Sequence, residues 1–221
     1  MFDDLKKVWN TYGKNEPYWS VLTDNKYLPS SIKNNYDNFY ETGIYDIKYF
    51  ENILQKYNYT LKDKIILDFG CGVGRLTKAC LNYSSNVYGI DISEEHLKIA
   101  KKNIKLAKFY KVVNENTLPQ LDNKPEIIIS FITLQHNNPK LIKKFLINLL
   151  KLLQENGVAL IQIPYKIDSK LINSIDKMQM HALPINDVKK ITKGCNCIIL
   201  DEIDSSVGGK DILSKLYVIK K

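Results

Sequence analysis

At 221 residues, with 44% apolar and 25% charged side chains, the chain is long enough to bury the core of one α/β domain with an elaborated end. The longest apolar run, "FLINLLKLL", is short and interrupted by Lys151, which excludes a bilayer span, and "MFDDLKKVWN" is too charged for a secretory signal. The formal net charge of +8 is almost all lysine, and Arg75 is the only arginine. Lys, Asn, Ile and Tyr share A/T-rich codons, so genome bias accounts for the lysines. Arginine is the preferred fork for phosphates and guanine edges, so its scarcity argues against sequence-specific nucleic-acid binding. Cys71, Cys80, Cys195 and Cys197 show no disulfide framework, and a lone C-x-C gives no metal site; a reducing cytoplasm is expected.

In chain order, residues 1–60 read as a helical, aromatic-rich cap, with both tryptophans and most tyrosines. Within it "TDNKYLPSS" is turn-rich, and the spacing of "YDIKYFENILQKY" predicts a helix over roughly 44–58. Residues 61–221 form the second predicted unit. There "KIILDF", "NVYGIDIS", "FYKVVN", "EIIISFI" and "VALIQIP" read as strands. The helices "RLTKACLNY", "SEEHLKIAKKNIKLA" (N-capped by Ser93) and "PKLIKKFLINLLKLLQENG" (closed by Gly157) alternate with them. This is the pattern of a doubly wound, Rossmann-like parallel sheet. The end differs: after the helix "PINDVKKITKG", "CNCIILDEI" and "ILSKLYVIKK" follow one another through "DSSVGGKD" with no helix between, which predicts a C-terminal antiparallel hairpin.

The strand-to-helix loop "ILDFGCGVGRL" narrows the ligand. A dinucleotide fingerprint needs G-x-G-x-x-G, but Arg75 stands where its third glycine belongs, and no G-K-[ST] of a P-loop is present. The pattern is D-x-G-x-G-x-G. Asp68 suits a ligand carrying an ammonium and a sulfonium better than a pyrophosphate. These residues, with "VYGIDIS" and the terminal hairpin, resemble the class I S-adenosylmethionine (SAM) dependent methyltransferases over about residues 62–221. The resemblance implies a seven-stranded sheet and SAM as cofactor. By position it places Asp68, Gly70, Cys71, Gly72 and Gly74 along the methionine part, Asp91 on the ribose hydroxyls and Ile92 on the adenine. The adenine loop falls on "VNENTLP", where the family's usual aspartate is replaced by Asn114 or displaced to Glu115 or Asn116. Arg75 either braces the SAM carboxylate or pairs with a carboxylate of the cap.

The fourth strand ends in "SFITLQHNNP". It lacks the N/D-P-P-Y/F of enzymes that methylate exocyclic base amines, and resembles the "LQH" segment of bacterial small-molecule methyltransferases. Phe131 and Gln135 are placed at the cofactor there, Gln135 with contact to the substrate or a tether of the loop as its alternatives. His136 is the candidate general base for a hydroxyl acceptor, its ordinary pKa near 6.5 suiting neutral pH; the alternatives are a non-catalytic place in the pocket and a structural histidine bonded to a loop carbonyl. The cap segments "WNTYGKNEPYWSVLT" and "NFYETGIYDI" more loosely resemble the N-termini of bacterial surface-glycan methyltransferases. This implies a lid, with Tyr12, Tyr18, Trp19 and Tyr40 as candidate stacking residues for a sugar or nucleotide. Tyr165 after the fifth strand and His181 in "MQMHALP" are further candidate substrate contacts. The expected partner is a small-molecule substrate of surface-polysaccharide biosynthesis. Other acceptors (an amine, a phosphorus oxyacid derivative, RNA or protein) and a non-catalytic SAM-binding module remain alternatives.

Overall fold

The computed structural model describes residues 2–167, 178–205 and 212–221. Most of the predicted turn "DSSVGGKD" lies outside them. The strands form a seven-stranded sheet of order β3-β2-β1-β4-β5-β7-β6. Two compact units divide the chain, residues 1–113 and 114–221, so the cap joins the first three strands in one unit.

The first unit opens with α1 (Phe2–Asn15), α2 (Trp19–Leu22) and α3 (Ile32–Gln55), followed by β1 (Ile66–Phe69), α4 (Arg75–Cys80), β2 (Val87–Asp91), α5 (Glu94–Asn103) and β3 (Lys108–Lys111). β1, β2 and β3 run parallel, with Asp68 opposite Gly89 and Asp91 opposite Lys111. The strand residues of β1 and β2 are buried throughout, as apolar runs in a covered parallel sheet should be.

The predicted helix at 44–58 is part of a longer one. α3 starts twelve residues earlier, at Ile32, and the chain leaves it at Gln55, with Asn58 left-handed at φ 62°. The first half hides its period because "KNNYDN" is polar. Its buried residues Phe39, Tyr40, Gly43, Ile47, Phe50 and Leu54 nevertheless fall on one helical face. Gly43 is needed there: a Cβ on it would lie 2.4 Å from the Arg75 carbonyl oxygen, so α3 and α4 meet backbone to backbone.

The second unit holds β4 (Ile127–Ser130), α6 (Pro139–Leu152), β5 (Val158–Ile167), α7 (Ile185–Gly194), β6 (Ile198–Ser205) and β7 (Ile212–Lys220). β4 and β5 are parallel, whereas β7 runs antiparallel to both β5 and β6. Asn138 caps α6 through the amides of Lys140 and Leu141, and Pro139 occupies its first turn. Gly157 does not close α6, which ends at Leu152. It permits a close approach instead, since a Cβ there would lie 2.8 Å from the carbonyl oxygens of Gln154 and Glu126.

Candidate active site

The loop after β1 explains its own glycines. Gly70, Gly72 and Gly74 take φ of 79°, 52° and 87°, the left-handed region that costs other residues about 1–2 kcal/mol each. The turn is pinned to β2: the amides of Gly70 and Cys71 both donate to the Ile90 carbonyl, at 2.7 and 3.0 Å. Asp91 then closes the loop. Its Oδ2 accepts from the Gly72 amide at 2.8 Å and its Oδ1 from the Ser93 amide at 2.7 Å. A carboxylate offers about four lone-pair sites, so this acid is oriented by the backbone yet retains acceptor capacity. That arrangement fits a ligand with vicinal hydroxyls.

Asp68 is buried behind the loop, where Thr77 Oγ1 donates to it at 2.6 Å. Burial pushes its carboxyl up to about 6, against the opposing pull of Thr77 and the Arg75 cation. Arg75 is equally buried. Its Nη1 donates to Asp46 of α3 at 2.5 Å and to Thr42 Oγ1 at 3.3 Å. The pairing is therefore with a carboxylate of the cap.

The N-terminal helices sit on this loop and on α5. Ser93 Oγ donates to the Trp9 carbonyl at 3.0 Å, and the Glu94 amide donates to Asn10 Oδ1 at 2.9 Å. Val21 comes so close to Gly72 that a Cβ on that glycine would meet Val21 Cγ2 at 3.0 Å. Of the aromatic candidates, Tyr40 is a core residue: it is 4% exposed, its hydroxyl donates to the Val73 carbonyl, and Lys78 Nζ lies 4.2 Å above its ring. Tyr18 packs edge-on against Phe39 at 5.1 Å and accepts from Asn103. Both belong to the cluster of Tyr27, Phe39, Val73, Ala100 and Phe109, which explains them as packing groups. Tyr12 and Trp19 form a separate half-buried pair, 6.2 Å between ring centroids. Ile92 is half-buried beside Asp91.

In the second unit, the three candidate adenine contacts are engaged locally. Asn114 Oδ1 accepts from the amides of Asn116 and Thr117, forming a side-chain turn. Glu115 and Asn116 Oδ1 both take Lys144 of α6, and the Asn116 carbonyl takes Asn148.

The end of β4 is strained. Ile132, a β-branched residue, has φ 57°, and its amide donates to Gln162 Oε1 at 2.8 Å. Gln162 is fully buried on β5 and donates to Ser214 of β7. No sequence motif pointed to Gln162; a single amide in an otherwise apolar strand was the available signal. The strained residue leads into a 3₁₀ turn, Leu134–His136. Gln135 and His136 are buried, with Gln135 Nε2 3.2 Å from His136 Nε2 and His136 Nδ1 3.4 Å from the Gln179 carbonyl. This assigns Nδ1 as the donor and Nε2 as the acceptor from the amide. Burial depresses the His136 pKa to about 4, the Gln179 carbonyl opposing and His181 reinforcing the shift. The His181 amide donates to the Gln135 carbonyl at 2.6 Å, so His136, Gln135 and His181 form one cluster. Phe131 is half-buried at the start of the same loop. Tyr165 lies at a bulge in β5, with Lys215 Nζ 5.9 Å from its ring centroid.

Residues 66–157 match the family described as a methyltransferase domain. Among curated proteins, the ubiquinone biosynthesis O-methyltransferase of Pelagibacter ubique is 32% identical over 119 residues, 50% of this chain and 48% of that protein. A tRNA (guanine(37)-N(1))-methyltransferase of Methanocaldococcus jannaschii is 29% identical over 138 residues, 62% of this chain and 35% of that protein. The chain thus covers less than half the length of either curated relative. Among solved structures, magnesium protoporphyrin IX methyltransferase of Synechocystis PCC 6803, with bound S-adenosylhomocysteine (SAH), superposes with a TM-score of 0.69 at 17% identity, covering 98% of this chain and 97% of that one. A SAM-dependent methyltransferase of Clostridium acetobutylicum gives 0.64 at 17% identity, covering 85% of this chain and 98% of that one. Residues 66–157 are similar to that methyltransferase domain, and the chain has the fold of the SAM-dependent methyltransferases it superposes on.

Proposed function

We propose that the protein is a SAM-dependent methyltransferase acting in the cytoplasm on oxygen of a small molecule, a sugar or sugar-linked intermediate of surface-polysaccharide biosynthesis. The observation that carries the cofactor is Asp91, held by two backbone amides at the end of β2 beside three left-handed glycines. Asp91 takes the ribose hydroxyls, Gly70–Gly74 lets the backbone approach the amino-acid part, and Ile92 packs on the adenine. The cofactor supplies a methyl group already activated on a sulfonium, so the chain's own task is to align an acceptor and remove its proton. His136 takes that proton. Burial keeps its imidazole neutral at physiological pH, and release of the Gln135 amide from Nε2 frees the basic lone pair.

A small acceptor is favoured over RNA by the fate of Arg75: the single guanidinium is buried against Asp46 and offers no fork to a phosphate backbone. Thermal shift with SAM, SAH and NAD, then methyl transfer to a panel of nucleotide sugars, tests this reading. SAM and SAH should raise the melting temperature and NAD should not. Stabilisation by NAD alone overturns it. Asp91→Ala should weaken SAH binding by roughly ten- to a hundredfold, the loss expected for about 1.5–3 kcal/mol of charged hydrogen bonding; unchanged calorimetric affinity would remove Asp91 from the site.

A further inference from the structure

His96, in the first turn of α5, joins the cap to the cofactor acid. It is 1% exposed. Its Nε2 is 2.9 Å from Ser20 Oγ of α2, and its Nδ1 is 2.9 Å from Ser93 Oγ at the start of α5. Beyond these, Ser20 Oγ reaches the Pro17 carbonyl at 3.2 Å and Ser93 Oγ reaches the Trp9 carbonyl at 3.0 Å. The fit against α1 is close: a Cβ on Gly13 would lie 2.8 Å from His96 Nδ1, and the Trp9 ring centroid is 6.1 Å away. The Ser93 amide is the donor that fixes Asp91 Oδ1.

Counting protons shows why the ends of this chain cannot act independently. Four contacts run Pro17–Ser20–His96–Ser93–Trp9, and a neutral imidazole with two hydroxyls supplies three protons. If Nε2 carries the ring proton, Ser20 donates to Pro17 and Ser93 must donate to Nδ1. If Nδ1 carries it, Ser93 passes its own proton to the Trp9 carbonyl or to Asn10 Oδ1, 3.3 Å away, and Ser20 donates to Nε2. One choice of tautomer therefore sets both hydroxyls, and what happens at Ser20 is felt at Ser93.

We propose that His96 is a positioning residue that couples the seating of residues 2–22 to cofactor binding, by linking Ser20 of the cap to Ser93, whose amide holds the Asp91 carboxylate. The proposal rests on the reading of Asp91 as the ribose-binding acid. It assigns the cap a thermodynamic part in cofactor capture, and linkage makes it reciprocal: bound cofactor must seat the cap more firmly.

The test uses the full chain and SAH as probe, with affinity from calorimetry and cap seating from the rate of tryptic cleavage at Lys6, Lys7 and Lys14. Ser20→Ala is nearly isosteric and alters no group assigned to the cofactor. It should weaken SAH binding about three- to tenfold, the size of one lost buried hydrogen bond, and abolish the protection that SAH gives the cap lysines. His96→Asn retains a polar atom near the place of Nδ1 but none near Nε2, so it should behave like Ser20→Ala. The double variant should be no weaker than either alone. His96→Gln, which reaches toward Ser20, should restore part of the protection. Wild-type affinity and full protection in Ser20→Ala would overturn the coupling, as would strictly additive losses in the double variant. If the wild-type protein itself failed to bind SAH, the cofactor reading would fall, and the coupling with it; that outcome is distinct from normal wild-type binding that ignores Ser20.

Discussion

At the scale of single residues, His136 is the point where structure alters the chemistry expected from composition. An exposed histidine titrates near 6.5, but burial pushes this one to about 4. If it accepts the substrate proton, the acid limb of the rate profile belongs near pH 4 rather than near 6.5. The activity of the wild-type enzyme should therefore be nearly flat from pH 6 to 8. His136→Gln should lower the rate by roughly 10²–10⁴-fold with SAH affinity unchanged, the usual contribution of a general base. A wild-type limb at 6.5 that vanishes in the variant would show that the imidazole titrates as a solvated group. Full activity in the variant would leave His136 a structural role beside Gln179.

At the scale of elements, α3 and α4 are held by a contact that only glycine allows. Replacing glycine by alanine inside a helix ordinarily stabilises by roughly 0.5–1 kcal/mol. Gly43→Ala should do the opposite, because its Cβ would lie 2.4 Å from the Arg75 carbonyl oxygen, and backbone cannot yield as a flexible side chain can. The expected loss is about 1–3 kcal/mol, the range for overpacking, read from the midpoint of urea unfolding. A stabilised variant would mean that the two helices separate readily. The same contact explains why half of α3 escaped prediction. In the missed half the period of Phe39, Tyr40 and Gly43 consists of a glycine and two aromatics among Asn, Asp and Glu, and only the neighbouring helix reveals which face is buried. The strands were legible because β1, β2 and β4 are buried on both faces and so read as unbroken apolar runs.

For the whole molecule, stability should depend on pH through groups held in unfavourable charge states. All three histidines, His96, His136 and His181, have pKa values lowered by burial. Below about 6.5 the unfolded chain binds protons that the folded chain refuses, so their contribution is present above that pH and is lost progressively below it, for His136 down to about 4. Asp68 works in the opposite sense. Its raised pKa, about 6, makes the folded state the better proton binder between that value and the usual carboxylate range, so ionising it at neutral pH is a cost of burial. Melting temperature should fall as pH drops from 7 to 5. Asp68→Asn, which can still accept from Thr77, should raise the melting temperature at pH 7. A rise on acidification, or a destabilised Asn variant, would contradict these assignments. The glycine loop and Asp91 were legible in the sequence because left-handed turns demand glycine and strand ends display their acids. Glu115 and the Ser20–His96–Ser93 chain were not, since their roles depend on partners 29 to 84 positions away that no local pattern specifies.

The burial of Arg75 makes the molecule its own reporter of opening. With a single guanidinium in the chain, 3% exposed and paired with Asp46, an arginine-selective dicarbonyl has one target, walled off by α3. Such a reagent at neutral pH should modify the native protein only through openings that separate α3 from α4. Uptake of one label per chain would then follow the population of that open form, without interference from the abundant lysines. Bound SAM should slow the labelling if the cap and cofactor close together, whereas fast labelling of the folded protein would place the guanidinium in solvent.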